Sequence, residues 1–259
     1  MSALDPYADD ELAELYDLDH AGYDDDLALY EQFARRAATP VLELGVGSGR
    51  VARYLAAHGH RVVGIDSSPA MLRRLAASLD GELEPRVRLV ETDMRSIVLG
   101  EHFELIYCAL NTFEHLLSSE DQFAALRCVA AHLARGGVFV FQIRALTSIE
   151  WTEPRSPLQL QWLRPHPASG DMVAKTSSTS VAPARQLITN TIIFDRTAGD
   201  GTVHRRMLEV MLRLTGRFEM ELLLRQAGLR LSTLYGDCDL SPFDDDSDTM
   251  IVVAELEGD

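Results

Sequence analysis

The residues best placed to do chemistry are three acids and a cluster of glycines. Glu43-Leu44-Gly45-Val46-Gly47-Ser48-Gly49-Arg50 lies where an apolar run gives way to a helical pattern. Glycine at such a junction permits a tight turn and lets a ligand approach the backbone, because no β-carbon stands in the way. Arg50 takes the place where a dinucleotide fingerprint carries a third, helix-packing glycine. That points away from a pyrophosphate and toward a zwitterionic ligand whose amino group meets Glu43. Asp66 ends the next strand-like segment, where a nucleoside site has its ribose-binding acid, and its two oxygens could accept both ribose hydroxyls. Asp93, with Met94 beside it, suits an exocyclic amine held near an apolar adenine face. Plainer alternatives stand beside these: Glu43 as a turn cap and Asp66 as a helix-entry acid, and Met71, in the helix-like segment after Asp66, as core.

These residues need a frame. From 41 to 143 strand-like and helix-like segments alternate, the sequence form of a parallel sheet wrapped by helices, an α/β fold. Strands are predicted at 41–44, 61–65, 87–91, 103–108 and 138–143, with helices after Arg50 and after Ser68-Pro69, a cap followed by proline at the first helical position. Ser119 and Gln122 read as a capping box opening a helix that Gly136-Gly137 ends. The three acids and the glycine loop then fall at the carboxyl ends of adjacent strands, the crevice where open α/β sheets bind ligands. Ahead of this core, 9–38 reads as a helical cap, with Asp24, Asp25 and Asp26 suiting a helix N-terminus. After it, 145–215 loses helical period. Its β-branched run at 187–194, the turn at Gly199-Asp200-Gly201 and the alternation of Leu208, Val210, Leu212 and Leu214 predict an antiparallel insertion, preceded by an extended stretch carrying Pro154, Pro157, Pro165 and Pro167. A helix at 217–226 and strands at 229–235 and 250–255 complete the sheet. The expected division is a cap at 1–38, a core at 39–144 and 216–259, and an insertion at 145–215.

Composition narrows the partners. With 259 residues and 46% hydrophobic content the chain holds one large domain or a core with an insertion. Forty acidic side chains against 24 basic give a net charge of -16, which repels phosphate backbones and anionic lipid, so neither nucleic acid nor membrane is expected as a partner. Arg164 with His166, and His204-Arg205-Arg206, are the basic patches, read as solvated surface. No long uninterrupted apolar run occurs, and Met1-Ser2-Ala3-Leu4-Asp5 lacks the features of an export signal, which predicts a cytoplasmic protein. Cys108, Cys128 and Cys238 show neither disulfide nor zinc spacing, and no metal ligand set is expected.

Together, Glu43-x-Gly45-x-Gly47-x-Gly49, Val63-Gly64-Ile65-Asp66-Ser67-Ser68-Pro69-x-Met71-Leu72, Thr92-Asp93-Met94 and Leu133-Ala134-Arg135-Gly136-Gly137 resemble the class I S-adenosylmethionine-dependent methyltransferases, although a Pro is often found where Arg135 stands. The resemblance spans 40–143 and 218–255 and implies a doubly wound, seven-stranded, mostly parallel Rossmann-like sheet with an antiparallel last pair. It implies S-adenosyl-L-methionine as cofactor and S-adenosylhomocysteine as product. Gly45 and Gly47 would lie against the methionyl part with Gly49 completing the loop, Asp66 and Ser67 at the ribose, Asp93, Met94 and Met71 at the adenine, and Ala109-Leu110-Asn111 beside the sulfonium. The helical cap and the antiparallel insertion are similar to small-molecule methyltransferases, including amino-sugar N-methyltransferases.

The expected reaction is methyl transfer to a small-molecule acceptor, preferably an amine, with a metal-assisted O-methyltransferase using Asp244, Asp245, Asp246 and Asp248, a noncatalytic cofactor-binding protein and an aminopropyl transferase as alternatives. His115 is the candidate general base or else a surface or capping histidine. Tyr16 and Tyr23 either gate the acceptor or pack the cap. The apolar positions of 208–214 either form a homodimer sheet or pack inward.

Overall fold

A computed structural model describes residues 7, 9–37, 40–149, 151 and 155–258. Met1 to Asp5, Pro154 and the expected division limits at 1, 38, 39 and 259 lie outside the described residues. Strands β1 (Val41–Leu44), β2 (Val62–Asp66), β3 (Val87–Glu91), β4 (Phe103–Cys108) and β5 (Leu133–Arg144) alternate with helices α3 (Arg50–Ala57), α4 (Pro69–Ser78) and α5 (Ser119–His132). Helix α6 (Arg217–Gln226) and strands β10 (Leu229–Tyr235) and β11 (Thr249–Leu256) follow a second sheet. The main sheet is seven-stranded in the order β10-β11-β5-β4-β1-β2-β3. It is parallel except for β11, which runs antiparallel to both β5 and β10.

Both faces of the sheet are covered, which is why its strands read as nearly continuous apolar runs. On one face Phe103, Phe139 and Phe141 pack with Leu126 and Val129 of α5 and Leu223 and Leu224 of α6. On the other, Leu105, Tyr107 and Val140 meet Leu55 of α3 and Leu75 of α4, together with Leu29 and Tyr30 of helix α2 (Leu27–Ala34). The side chain of Ser68 accepts from the Met71 amide at 3.2 Å, so α4 starts as its cap residue predicts.

Several expectations are corrected. The cap is two helices, α1 (Asp10–Asp19) and α2, separated at 20–26. Helix α5 is capped by Ser118, which accepts from the Asp121 amide at 3.0 Å, so the capping pair lies one residue earlier than Ser119 and Gln122. Gln122 instead turns inward, its Oε1 accepting from Arg213 at 2.8 Å. The helix ends at His132, before the two glycines, because Leu133 already pairs with Phe103.

The region after β5 forms a four-stranded antiparallel sheet in the order β6-β7-β8-β9, from Gln159–Pro165, Met172–Ala182, Leu187–Thr197 and Val203–Arg213. The first strand falls in the proline-bearing stretch read as extended, and the second lies between that stretch and the predicted β-branched run, where no strand is expected. Val210, Leu212 and Leu214 pack inward on Ile188, so the inward alternative holds for that alternation.

Helix α1 lies between this second sheet and α4. Its Leu12, Leu15 and Leu18 meet Val173, Phe194 and Trp162, while Ala13 and Tyr16 meet Ala70 and Met71. The basic patches read as solvated in fact tie this helix down: Arg206 pairs with Asp9 and with Glu11 at 2.6 Å, and Arg164 donates to the carbonyls of Leu18 and Asp19. His166 is buried and lies 3.4 Å from Glu14. No helix among the described residues is long and apolar enough to cross a membrane.

Candidate functional site

The glycine loop joins β1 to α3 with Gly45, Gly47 and Gly49 all in the left-handed region, at φ 65°, 55° and 84°. Two of these glycines are enforced from within. A β-carbon at Gly45 would stand 2.3 Å from Thr112 Cγ2, and one at Gly49 would stand 2.1 Å from Leu75 Cδ1. At Gly47 it would meet no protein atom within 4 Å. The space over Gly47 is open, as a backbone-hugging ligand requires.

Asp66 ends β2 and faces this loop. Its Oδ2 accepts from the Gly47 amide and its Oδ1 from the Ser68 amide, both at 2.8 Å. The two amides fix the plane of the carboxylate. Glu43, in the middle of β1, is 3% exposed, and the Tyr107 hydroxyl donates to its Oε2 at 2.9 Å. Burial pushes the Glu43 carboxyl up from an ordinary value of 4.5 to about 8, against the opposing pull of the Tyr107 hydrogen bond and Arg50. Burial therefore favours the protonated Glu43 carboxyl near neutral pH.

Arg50 forks onto Asp26, with Nη2 to Oδ2 at 2.7 Å, and lies over the Tyr23 ring at 5.0 Å from its centroid. Asp26 is fully buried. It occupies the N-cap position of α2 but makes no capping bond, so its carboxylate serves the arginine rather than the helix. Tyr107 stacks on Tyr30 at 4.9 Å, and the Tyr30 hydroxyl donates to the Cys108 carbonyl at 3.4 Å. Sequence reading missed Asp26, Arg50, Tyr107 and Tyr30 as site residues. The one sequence signal was an arginine in place of the third glycine.

A cleft runs past these groups, lined by Tyr16, Glu43, Gly45, Ser48, Arg50 and Leu110 among others. Tyr16, reaching in from α1, roofs it. The predicted residues separate into groups. Glu43, Gly45, Gly49, Ala109, Leu110 and Tyr16 line the cleft, and Asp66 joins them through Gly47. Met94 approaches the same place, its Cε 3.7 Å from a β-carbon built on Gly45. Met71 is buried under α1, packed with Ala13, Tyr7 and Tyr16, and Ser67 is exposed.

Asp93 is already engaged. Arg95 holds both of its oxygens, with Nη2 to Oδ2 at 2.6 Å, and keeps its carboxyl below the ordinary range, so contact with an adenine amine would be shared with that guanidinium. His115 ends a short 3-10 turn after β4 and meets Tyr7 edge-on at 6.0 Å, while Tyr7 meets Tyr16 at 5.2 Å. His115 and Tyr16 therefore share one aromatic group, and Tyr23 stands apart on Arg50. Burial drives the Tyr16 phenol well up, so it stays neutral, a hydrogen-bond donor rather than a base. Burial likewise raises Tyr23, to about 12. In the acidic loop Asp244 accepts from Ser247 and from the Asp246 amide, and among the described residues no three metal-binding side chains gather there or elsewhere.

Residues 41–137 match the family described as "Methyltransferase domain". The chain is 36% identical over 97 residues to a cypemycin N-terminal methyltransferase from a Streptomyces species, covering 38% of each protein. It is 31% identical over 105 residues to a dTDP-4-amino-2,3,4,6-tetradeoxy-D-glucose N,N-dimethyltransferase from Saccharopolyspora spinosa, covering 40% of each. The chain thus spans well under half the length of these two curated relatives. Among solved structures, the CcbJ methyltransferase of Streptomyces caelestis superposes with a TM-score of 0.77 at 26% identity, over 89% of this chain and 93% of that one. The glycine loop of β1, the acid ending β2 and the strand order agree with that match, and residues 41–137 are a methyltransferase domain whose architecture is that of the class I S-adenosylmethionine-dependent type.

Proposed function

We propose that this chain transfers a methyl group from S-adenosylmethionine to the amine of a small acceptor. The observation that carries the reading is the grouping at one cleft of a buried carboxyl, Glu43, an oriented carboxylate, Asp66, and an open glycine, Gly47. A ligand with an ammonium, a ribose diol and a sulfonium matches that set of acceptors and negative charge. When bound, the cofactor supplies a methyl group on a positively charged sulfur. In this reading Glu43 holds the methionyl ammonium and gives up its proton on binding, and Asp66 accepts from the ribose.

The work left to the protein is alignment and exclusion of water, since an in-line displacement needs no covalent protein nucleophile. Tyr16 closes the roof from the cap, and the loop 109–111 holds the far wall. His115 accepts a proton from an acceptor that arrives as an ammonium. In that division of labour 39–144 and 216–259 bind cofactor, while the cap at 1–38 and the region 145–215 shape the acceptor side. Of the curated relatives named above one is by name an N,N-dimethyltransferase of an amino sugar nucleotide and the other an N-terminal methyltransferase, and the net charge of -16 favours a cationic acceptor.

Isothermal titration with S-adenosylmethionine and, separately, NAD tests the reading. Micromolar binding of the first alone is expected, weakened by about 1.5–3 kcal/mol in Asp66→Ala, the worth of a charge-assisted hydrogen bond. Preference for NAD, or binding indifferent to Asp66, refutes it.

A further inference from the structure

Among the described residues, four buried side-chain polar atoms lack a hydrogen-bond partner: Asn111 Oδ1, Glu114 Oε2, Gln122 Nε2 and Gln142 Oε1. Gln122 belongs to a polar node under the second sheet, where its own oxygen is bonded to Arg213 and Thr215. The other three are oxygens, and all three come from one place, the carboxyl edge of β4 and β5.

Strand register locates them. Glu43 pairs with Gly64 on β2 and with Tyr107 on β4, and Tyr107 pairs with Val140 on β5. Two residues further along each strand, on the same face, the row reads Asp66, Gly45, Ala109, Gln142. The first three belong to the cofactor cleft just described. Gln142 is the next member of that row, one strand beyond Ala109, and it is only 6% exposed. The intervening loop is held in an uncommon shape: Leu110 and Asn111 are both left-handed, at φ 51° and 58°. Glu114 pins this loop to the end of β5 by accepting from the Arg144 amide at 2.5 Å. Backbone conformations of this kind persist where the surroundings over-determine them, and they cluster at ligand clamps.

Buried oxygens without partners are uncommon, and an unfilled one is costly unless a ligand completes it. By register Gln142 lies on the side of Ala109 away from Asp66, and Asn111 follows Ala109 by two residues, while Glu114 Oε2 faces the Arg144 guanidinium at 3.7 Å. With the ribose on Asp66 and the methionyl part on Gly45, the next position along the row belongs to the acceptor. We propose that Gln142 Oε1, together with Asn111 Oδ1, binds the acceptor by receiving hydrogen bonds from its N–H or O–H groups, so that the enzyme selects amines flanked by a hydroxyl over purely hydrocarbon amines. This rests on the methyltransferase reading above. Held this way, the acceptor nitrogen keeps one lone pair directed back across Ala109. That pair forms the new nitrogen–carbon bond as the carbon–sulfur bond breaks and its electrons return to sulfur, and the extra proton of the nitrogen leaves to His115 or water.

The variant Gln142→Met keeps the shape and removes the oxygen, while Gln142→Glu keeps an accepting oxygen. Ligand-free melting, S-adenosylhomocysteine affinity, and product formation with trans-2-aminocyclohexanol and with cyclohexylamine are measured for each. The expected result for Gln142→Met is a melting temperature equal to or above wild type and unchanged S-adenosylhomocysteine binding. The wild-type preference for the amino alcohol should fall by about tenfold, the scale of one lost hydrogen bond, and Gln142→Glu should retain it. A clear drop in melting temperature would make Gln142 a structural residue, and weakened S-adenosylhomocysteine binding would make it part of the cofactor site. Wild-type indifference to the hydroxyl, or no transfer to either amine, overturns the proposal while the cofactor titration stands on its own.

Discussion

Glu43 offers the sharpest quantitative test, because its raised carboxyl links cofactor affinity to pH. Moving its pKa from 4.5 to about 8 by burial gives the neutral form an advantage of roughly 5 kcal/mol in the ligand-free protein. If an ammonium binds the ionised form, each pH unit below about 8 costs a factor of about ten in affinity, until binding to the neutral form takes over. The cofactor's own α-amino group titrates at about 7.7–8.0, so the clean window is about pH 6 to 7.5, where the ligand remains cationic and Glu43 changes state. Titration calorimetry across that window, in buffers of differing ionisation enthalpy, should show affinity rising by up to tenfold per unit with release of about one proton. Glu43→Gln should flatten both. Without ligand the sign reverses: the folded pKa lies above the unfolded one, so Glu43 contributes full stability below pH 4.5 and loses it as pH rises toward 8. Glu43→Gln should therefore melt higher than wild type near pH 8. Flat wild-type affinity from pH 6 to 7.5, without proton release, would refute the assignment of Glu43 to the ammonium.

Two further outcomes follow from the same geometry. Gly49→Ala forces a β-carbon into Leu75 at a left-handed position and should cost about 2–4 kcal/mol, read as a lowered melting temperature; a melting temperature equal to wild type would show that the loop relaxes freely. His115→Ala should lower turnover of a small amine by about 100-fold and erase the fall in rate toward low pH if the histidine takes the proton. An unchanged profile from about pH 6 to 9 removes it from the mechanism.

What sequence could reveal was whatever is written locally. The turn from β1 to α3 needs glycines at fixed offsets, and Asp66 lies at the end of an apolar run, so the glycine loop and the acid facing it were visible as spacing. Ser68-Pro69 marks the start of α4 by a mechanism confined to neighbouring residues. The residues that escaped are joined across the chain. Arg50 and Asp26 meet over 24 positions and Tyr107 and Glu43 over 64, and neither pair has a local signature. Asp26 was misleading because an acid before a helix has an adequate local explanation. Gln142 looked like any polar residue in a strand; its meaning needs the register that sets it beside Ala109. Strands β6 and β7 were obscured by prolines and by a Ser- and Thr-rich run whose two faces are both partly exposed, which leaves little apolar contrast.

The cap shows how packing and charge divide their roles. Helix α1 touches two neighbours, and the two contacts differ in kind. Against the second sheet it buries Leu15 and half-buries Leu12 and Leu18 on Val173, Phe194 and Trp162, and one well-buried leucine is worth about 1.5–3 kcal/mol. There Asp19 pairs with Lys175 where each side chain is 16% exposed, and accepts from the Trp162 indole at 2.8 Å. Against α4 the apolar contact rests on Ala13, Tyr7 and Tyr16, beside an Arg73–Asp10 pair that opens to solvent and an Arg74–Asp17 pair that is half-buried. Pairs that open to solvent contribute about 0–1 kcal/mol. Both neighbours therefore anchor helix α1, the second sheet through leucine packing and α4 through alanine and tyrosine packing with two ion pairs.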